Sequence, residues 1–398
     1  MSLEARPAGV FFHGPVYGGS GYADENLHVV LSLAGHGIPV QLEPRGARSD
    51  TGKLLSADVQ AQLDVLEKAR VDQGQSVFFA SAPAHEFQPQ MYYARYKVGR
   101  TTFETDRIPD GWCEHCNAFD EIWVPSYFNL ETFARAGVAE NKLHVLQEGV
   151  DTEHFRPDIQ PLKIPGARRF NFLSVFDWQM RKGYDVLLRA FCAEFRPDED
   201  VALILKVSTM NQPHAQLVDL VSYFIERTLH TRLEHSPNIV LLAGMLPQGR
   251  FPQLYASADA FVLPSRGEGW GRPYMEALAC GRPVIATRWG GQMDFLNDEN
   301  ADLIELDGLQ STGADIDLEI FAGHRWAAPS VDHLRQLLRR AIADPEASAR
   351  KAARGLLDMR EKWDWRHVVP AWTREFDRLL ERPATPQQLT PDEMRRFS

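Results

Sequence analysis

Residues 260–287 of the chain read AFVLPSRGEGWGRPYMEALACGRPVIAT. The stretch opens with the apolar run Ala260–Leu263, which predicts a buried strand. Pro273–Cys280 predicts a helix, because proline is tolerated in the first turn, where an N–H has no partner within the helix. Gly269 and Gly271 lie in the loop between them, and a second apolar run follows the helix. A strand, a glycine-rich loop, a helix and another strand form the repeating unit of a parallel α/β sheet.

The same alternation of strand and helix continues through most of the 398 residues. The other β-rich runs are Val10–Phe12, Val77–Phe79, Ile122–Val124, Phe170–Phe176, Val201–Val207, Ile239–Ala243 and Pro283–Ala286. Alternating units of this kind predict parallel sheets with helices on both faces. Residues 156–169, with three prolines and one glycine, interrupt the pattern as a linker does. The sequence therefore predicts two doubly wound domains.

The composition is that of an ordinary folded protein. Apolar residues make up 44% and charged residues 24%, and the length suits two domains of about 150–200 residues each. No apolar run approaches the ~18 residues of a membrane span, and the first residues lack the features of a signal peptide. The net charge of −11 argues against nucleic acid as a partner, which needs a basic surface. Four cysteines do not make a disulfide framework, so we expect a cytoplasmic protein.

The loop at 265–271 is the first candidate for a ligand site. In a parallel sheet, ligands bind at the carboxyl ends of the strands, and glycines let the backbone come close to them. The N-terminus of the next helix favours phosphate through its partial positive charge. Glu268 in the loop suits sugar hydroxyls or a developing positive charge, and Glu276 in the helix suits a vicinal diol such as a ribose. The alternative is a structural loop with one capping glutamate and one surface glutamate.

A second candidate loop lies within FLSVFDWQMRKGYDVLLRAF, residues 172–191. Arg181 and Lys182 follow a strand-like run and precede a helical pattern. In an acidic protein, two cations at the carboxyl end of a strand suit a diphosphate, because arginine grips phosphate oxygens in a fork and lysine adds a point charge. The alternative is a pair of solvated surface cations.

Both loops resemble those of a known family. Residues 264–287, together with Glu148–Asp151, Phe155–Pro157 and Arg181–Gly183, resemble the signature of retaining GT-B glycosyltransferases of family 4, also called glycosyl transferases group 1. The resemblance extends over most of the chain. It implies an α/β fold in which two Rossmann-like domains face each other across a cleft, with a C-terminal helix that packs back on the first domain.

The resemblance also divides the chain into domains. We expect an N-terminal acceptor-side domain at 1–160 and a nucleotide-sugar-binding domain at 161–365. The C-terminal helix and tail at 366–398 would return to the first domain. Apolar residues spaced for burial near the start of this helix are Trp365, Val369, Trp372 and Phe376.

The resemblance implies transfer of a hexose-like unit from a nucleoside diphosphate sugar to a hydroxyl acceptor, with retention of configuration. The acceptor would be a glycan, as in polysaccharide biosynthesis, a glycolipid or a small molecule. Arg181 and Lys182 would stabilise the leaving diphosphate, Glu268 would orient the sugar, and Glu276 would hold the ribose. The alternatives are a nucleotide-sugar epimerase of the same fold and a catalytically silent partner subunit.

Further site positions follow from the same resemblance. The other donor-binding positions are Gly19, Met245, Leu246, Gly269, Trp270 and Gly271. Gly19 lies in a glycine-rich turn that does not match a dinucleotide fingerprint, and a simple helix start is the alternative. His85 would contact the donor sugar as a catalytic residue, unless it is an ordinary surface or buried histidine. Glu104 would border the acceptor, and the alternative for it is a capping, salt-bridged turn.

No cofactor is expected beyond the nucleotide sugar, which is a co-substrate. The residues do not rank UDP, GDP and ADP, and we expect a UDP-sugar. Asp315–Asp317 and Asp198–Asp200 match a D-x-D metal pattern, but neither follows a convincing nucleotide-binding strand. Since Arg181 and Lys182 already supply positive charge, we predict no metal. Cys113–Cys116 has no second cysteine pair and is interpreted as helix packing.

One stretch raises the question of membrane contact. Residues 91–100, MYYARYKVGR, mix three tyrosines with three basic residues. Such a mixture can dock on an anionic membrane surface, which would suit a lipid-linked acceptor. Core packing with snorkelling cations is the commoner explanation. Peripheral contact at the inner membrane face therefore stays an open alternative for a protein expected in the cytoplasm.

Overall fold

The computed structural model of the protein describes residues 6–46, 55–208, 216–242, 246–313 and 319–382. These residues form two compact units. The first unit contains the described residues of 1–102, 108–149 and 365–398, and the second contains those of Phe103–Arg107 and Val150–Asp364.

The chain enters the second unit at Val150, ahead of the proline-rich stretch 156–169 that the sequence suggests as a linker. The N–H of Val150 donates to the carbonyl of Trp363 at 2.8 Å, and Val150 pairs with Asp364 in a parallel bridge. The N–H of Thr152 donates to Oδ2 of Asp364 at 3.2 Å. These bonds attach the chain to the second unit before the prolines begin.

The first unit is built on a six-stranded parallel sheet. Its strands are β1 (Val10–Gly14), β2 (Val40–Pro44), β3 (Val77–Ser81), β4 (Tyr96–Arg100), β5 (Glu121–Val124) and β6 (Leu143–Val145). Its helices are α1 (Gly21–Gly35), α2 (Ala57–Lys68), α3 (Trp112–Asn117), α4 (Tyr127–Arg135) and a C-terminal helix (Trp365–Glu381). The strand order is β2-β1-β3-β4-β5-β6, so the winding direction reverses between β1 and β3. Doubly wound sheets bind ligands at the carboxyl ends of the strands beside such a reversal.

The C-terminal helix packs on the sheet of the first unit. Its side chains spaced for burial are all buried, as predicted, namely Trp365, Val369, Trp372 and Phe376. The ring of Phe376 lies 5.4 Å from that of Phe79 in β3 and 5.0 Å from that of Trp123 in β5. The end of the chain that the structure describes therefore completes the core of this unit.

The second half of the stretch 91–100 is an inner strand. Tyr96–Arg100 forms β4, which lies between β3 and β5. The guanidinium of Arg100 is buried, pairs with Glu25 and donates to the carbonyl of Leu146 at 2.9 Å. This half of the stretch belongs to the sheet, as the core-packing explanation expects, and membrane contact stays an open alternative. Among the described residues, the helices are too short or too polar to cross a bilayer.

The second unit contains another six-stranded parallel sheet and a separate antiparallel hairpin. The strands of the sheet are β7 (Phe170–Asp177), β8 (Val201–Ser208), β9 (Asn238–Leu242), β10 (Ala260–Leu263), β11 (Val284–Thr287) and β12 (Asp302–Ile304), and the hairpin consists of β13 (Leu306–Ser311) and β14 (Arg325–Pro329). The helices are α5 (Tyr184–Glu194), α6 (Leu217–Leu229), α7 (Phe251–Ala256), α8 (Arg272–Ala279), α9 (Val331–Ala343) and α10 (Pro345–Asp358).

The strand order of the second sheet is β12-β11-β10-β7-β8-β9. The winding direction therefore reverses between β7 and β10, and these two strands are paired neighbours. The loops that follow them are the two candidate loops of the sequence, 178–183 and 264–271. Together, the two sheets confirm the prediction of two doubly wound domains.

Candidate functional site

The loops that follow β7 and β10 are in direct contact. The N–H of Arg266 donates to the carbonyl of Arg181 at 2.6 Å. Gly183 has a φ of +69°, and a Cβ there would lie 2.0 Å from the carbonyl oxygen of Pro264. A glycine is therefore needed at this position, both for its backbone conformation and for the close approach of the two loops.

Arg181, Lys182 and Glu268 form one cluster of ion pairs. Nη1 of Arg181 donates to Oε2 of Glu268 at 3.1 Å and to the carbonyl of Gly267 at 2.7 Å. Nζ of Lys182 lies 2.8 Å from Oε1 and 2.9 Å from Oε2 of the same carboxylate. The structure thus brings together the two cations and the first glutamate that the sequence singles out.

The pKa values of Glu268 and Arg181 are set by their neighbours' charges, which outweigh burial. Burial alone would raise the pKa of Glu268, but the nearby charges of Lys182 and Arg181 outweigh it and hold the pKa below its usual value. Burial likewise acts to lower the pKa of Arg181, and the carboxylates of Glu104 and Glu268 raise it instead. The cluster is a set of mutually stabilised charges at the carboxyl edge of the sheet.

Glu104 joins this cluster from a distant part of the sequence. Its Oε1 lies 3.2 Å from Nη2 of Arg181. Its backbone passes so close to the glycine-rich loop that a Cβ on Gly267 would lie 1.8 Å from the carbonyl oxygen of Glu104. The structure therefore places Glu104 beside Arg181, one of the two cations predicted to bind the diphosphate. The acceptor-side role of Glu104 stays a prediction.

The segment Phe103–Arg107 is held on the second unit by its other residues as well. Asp106 accepts from the backbone N–H of Arg325 at 2.8 Å and from its Nε at 3.0 Å. The hydroxyl of Thr105 and Nδ1 of His324 share a hydrogen bond of 2.7 Å. Both partners belong to the hairpin or to the turn that precedes β14, so the hairpin fixes the position of Glu104.

Arg266 is a site residue that the sequence reasoning missed. Its guanidinium forms two parallel hydrogen bonds with the carboxylate of Asp185, at 2.7 and 2.8 Å, and also donates to the carbonyl of Met180 at 2.8 Å. This fork ties the loop after β10 to the loop and helix after β7. Arg266 lies in the stretch 260–287, but its partner Asp185 is 81 positions away in the sequence, and no local sequence pattern links the two.

Glu276 lies in α8, one turn beyond the glycine-rich loop. Its Oε2 accepts a hydrogen bond from the hydroxyl of Tyr255 at 2.7 Å. Burial raises the pKa of Glu276, although Arg272 and the Tyr255 hydroxyl act in the opposite direction. Helix α8 begins after Gly271, whose φ is +107° and where a Cβ would lie 2.8 Å from the ring of Tyr274. The glycine therefore permits the sharp turn that starts the helix.

The side chain of Trp270 belongs to the core. Its ring lies 5.1 Å from that of Phe295 and 5.6 Å from that of Trp363, and its Nε1 donates to Sδ of Met275 at 3.0 Å. This differs from the expectation that the indole shapes a donor pocket, and leaves the backbone of Trp270 as its predicted ligand group. Leu246 is half-buried against the same core, and Met245 lies outside the described residues.

Gly19 and His85 both follow strands that flank the reversal point of the first sheet. Gly19 lies in the exposed loop between β1 and α1, and a Cβ there would meet no described atom within 4 Å. His85 lies in a short turn after β3, with half of its side chain exposed and its ring 5.7 Å from that of Trp112. Their placement fits ligand contact, and their donor roles stay predictions.

The other motifs are accounted for by local contacts where the structure describes them. Cys113 and Cys116 are free thiols in α3. Asp198 pairs with Arg196 at 3.0 Å, and Asp200 accepts from the N–H of Arg169 at 3.1 Å. Residues 315–317 lie outside the described part of the chain. Within that part, no group of three or more His, Cys, Asp or Glu side chains is arranged to hold a metal ion.

Comparisons with known proteins agree with this architecture. Residues 167–311 match the family described as glycosyl transferases group 1. A GDP-mannose-dependent alpha-(1-6)-phosphatidylinositol monomannoside mannosyltransferase of Mycolicibacterium smegmatis is 27% identical over 63% of this chain and 60% of its own length. A D-inositol 3-phosphate glycosyltransferase of Catenulispora acidiphila is 31% identical over 40% of this chain and 39% of its own length. The family resemblance inferred from the sequence is confirmed for residues 167–311, and the chain spans about three fifths or less of these relatives.

Solved structures share the fold. Anabaena Alr3699/HepE, solved with UDP and glucose, is 16% identical and has a TM-score of 0.63 over 93% of this chain and 99% of its own. Sucrose-phosphate synthase from Thermosynechococcus elongatus is also 16% identical, with a TM-score of 0.63 over 94% of this chain and 99% of its own. These similarities identify the fold as GT-B, as predicted.

Proposed function

We propose, because residues 167–311 belong to the glycosyl transferases group 1 family, that this protein transfers a hexose-like unit from a nucleoside diphosphate sugar to a hydroxyl acceptor with retention of configuration. The observation that carries the proposal is the cluster of Arg181, Lys182 and Glu268 at the reversal point of the second sheet. A buried arginine and a partly buried lysine at the carboxyl ends of paired parallel strands are suited to a diphosphate leaving group.

The proposed chemistry places the cations where charge develops. When the bond between the anomeric carbon and the phosphate oxygen breaks, the diphosphate gains negative charge. Arg181 and Lys182 are already held in place by Glu268, so they stabilise that charge without reorganising. The departing phosphate oxygen would accept the proton of the acceptor hydroxyl, as the family resemblance implies, and no carboxylate is assigned as a covalent nucleophile.

The two glutamates would divide the donor between them. Glu268, held by Arg181 and Lys182, would orient the sugar on the diphosphate side. The carboxylate of Glu276 would accept hydrogen bonds from the ribose diol. The Tyr255 hydroxyl donates to Oε2 of this carboxylate and so holds it in place. Since Arg181 and Lys182 supply the positive charge, we propose that the reaction needs no divalent metal.

The relatives give GDP-mannose priority among donors. A relative that aligns over 63% of this chain is named for GDP-mannose, whereas the neighbour solved with UDP is 16% identical and supports the fold only. We therefore place GDP-mannose ahead of the UDP-sugar expected from the sequence. The acceptors in the relatives' names contain inositol, so a polyol hydroxyl, free or carried by a lipid, is the proposed acceptor class.

A binding screen followed by a transfer assay tests the proposal. Titration calorimetry with GDP, UDP and ADP identifies the nucleotide, and turnover of GDP-mannose and UDP-glucose is followed with and without inositol phosphate and phosphatidylinositol vesicles. Repeating the assay with a chelator tests metal independence. A changed sugar without any acceptor would indicate an epimerase instead. Absence of nucleotide binding would indicate the silent partner subunit.

A further inference from the structure

The charges around Arg181 cancel within the protein. Arg181 and Lys182 contribute two positive charges, and the carboxylates of Glu268 and Glu104 lie within salt-bridge distance of them. The charge of Asp177 acts on Arg181 in the same direction as those of the glutamates. A site with this sum has no excess positive charge with which to attract a diphosphate. A diphosphate that reaches Arg181 would therefore compete with these carboxylates.

Glu268 is the carboxylate that is harder to displace. Its side chain is 8% exposed, and it accepts three hydrogen bonds of 2.8–3.1 Å from two different cations. The side chain of Glu104 is 22% exposed, and its salt bridge to Arg181 is 3.2 Å long. Because fewer and longer contacts hold Glu104, displacing its carboxylate from Arg181 costs less free energy than displacing the carboxylate of Glu268.

Displacement of the Glu104 carboxylate from Arg181 would move only the side chain of Glu104. Its backbone is fixed by the close approach to Gly267, where a Cβ would lie 1.8 Å from its carbonyl oxygen. The neighbouring residues Thr105 and Asp106 are held by hydrogen bonds of 2.7–3.0 Å to the hairpin side. The carboxylate can therefore leave Arg181 by a change of rotamer and return to the same place.

Arg181 has N–H donors for the oxygens of a diphosphate that takes the place of Glu104. Its Nη1 donates to Gly267 and Glu268, and its Nη2 faces Glu104. Its Nε is buried without a hydrogen-bond acceptor in the part of the chain that the structure describes. Release of Glu104 would leave Nη2 and Nε together, which is the edge of a guanidinium that forks onto two phosphate oxygens.

We propose that Glu104 is an exchangeable counter-ion of Arg181, which the diphosphate displaces on binding and which returns as the diphosphate leaves. This inference rests on the proposed function of the site. Glu104 acts through Arg181 and is therefore a positioning residue. Its competition with phosphate weakens the hold on the diphosphate product and so promotes product release.

The test compares full-length wild type with Glu104→Gln by titration calorimetry, using GDP, UDP, guanosine and uridine. Glu104→Gln is expected to bind the diphosphate about tenfold more tightly, because one competing charge is gone, and the corresponding nucleoside with unchanged affinity. In the transfer assay, inhibition by the diphosphate product should strengthen by about tenfold and kcat should fall. Asp307→Asn is the matched control, since it makes the same change in net charge at an exposed residue of β13.

Thermal melting of each variant checks that it folds, and Glu104→Asp, which keeps the charge but shortens its reach, serves as a second variant with a smaller gain. Equal diphosphate affinity in wild type and Glu104→Gln would overturn the counter-ion role and leave the proposed function standing. The same gain in Asp307→Asn, or for the nucleoside, would also overturn it. If neither GDP nor UDP bound wild type or variant, the proposed function and the counter-ion role would fall together.

Discussion

Nζ of Lys182 lies within 2.9 Å of both carboxylate oxygens of Glu268, so one ammonium spans a carboxylate that is almost fully buried. Arg181 binds the same carboxylate from its own side. Neither cation is a solvated surface charge, which was the alternative that the sequence left open. The cost of burying each charge is offset by the others, so the effect of a substitution depends on which charges it leaves without a partner.

We expect Lys182→Met to impair catalysis more than folding. Glu268 would keep Arg181 as a partner, and the methionine would preserve most of the apolar stem. Loss of a charge-assisted contact of about 1.5–3 kcal/mol should weaken GDP or UDP binding at least about tenfold. Transfer should slow by about 10²–10³, measured by steady-state kinetics. Lys362→Met, which removes an exposed ammonium that pairs with Asp358, is the control, and equal losses in both variants would contradict the role of Lys182 in binding the diphosphate.

Arg181→Ala should lower stability as well as activity. Its guanidinium lies between Glu104 and Glu268, and its removal leaves both carboxylates short of a counter-charge. Breaking a buried pair in this way costs about 3–5 kcal/mol, which a melting curve will register. Arg196→Ala removes an exposed pair with Asp198 and should leave the melting temperature unchanged. An unchanged melting temperature for Arg181→Ala would show that the cluster is not buried in solution.

The two glutamates should separate nucleotide binding from transfer. Glu276→Gln should weaken GDP or UDP binding about tenfold, because a ribose diol donates better to a carboxylate than to an amide. Glu268→Gln should not weaken the diphosphate, because it releases Arg181 and Lys182 for phosphate, yet transfer should fall more than tenfold. Calorimetry and kinetics on both variants check this. Tighter nucleotide binding in Glu276→Gln would reverse the assignment.

Glu276 and Glu268 should respond to pH in opposite ways. The pKa of Glu276 is raised in the folded protein, so its ionised form costs stability at neutral pH, and that cost disappears as the pH falls through the raised value. The melting temperature of Glu276→Gln relative to wild type should therefore rise between about pH 4 and pH 7. The pKa of Glu268 is lowered, so its contribution is present at neutral pH and is lost only as the pH falls through the depressed value. The relative melting temperature of Glu268→Gln should fall as the pH rises through the depressed value, which lies below the interval in which Glu276 titrates.

Gly267→Ala should loosen the segment 103–107. The added methyl would lie 1.8 Å from the carbonyl oxygen of Glu104, so the backbone of one loop must move. Overpacking of this kind costs about 1–3 kcal/mol, or a shift of roughly 2–10 °C in melting temperature. Gly249→Ala, whose Cβ would meet no described atom within 4 Å, is the control and should melt as wild type does. A shift in the control alone would contradict the steric reason.

The sequence predicts the parallel sheets and the positions of the two loops after β7 and β10, but its β-rich runs omit β2, β4, β6 and β12. Strand and helix periodicity, and glycine or proline at a turn, are local signals, so Pro273 and Gly271 could be read without the fold. Neighbouring parallel strands then bring Arg181 and Glu268 together, because their carboxyl ends meet at one edge of the sheet. This much follows from topology alone.

The sequence could not supply contacts between distant stretches. Glu104 meets Arg181 and Arg266 meets Asp185 only because of tertiary packing, and a carboxylate in a turn looks the same whether it faces solvent or a buried arginine. The resemblance places Trp270 among the donor-binding residues, but its large apolar ring is buried against Phe295 and Trp363. Tyr96–Arg100 contains two basic residues, which are uncommon in an inner strand, so the strand is not predicted from the sequence. Arg100 is buried there because it pairs with Glu25.

The second unit is discontinuous, because Phe103–Arg107 belongs to it while the residues on either side belong to the first. A chain shortened to begin at Val150 would keep every strand of the second sheet and would lose Glu104, one of the two carboxylates that pair with Arg181. The electrostatics of the second unit are therefore encoded partly in the first half of the gene. In a chimera that exchanges whole halves between relatives, the residue at position 104 would be inherited from one parent and its arginine from the other.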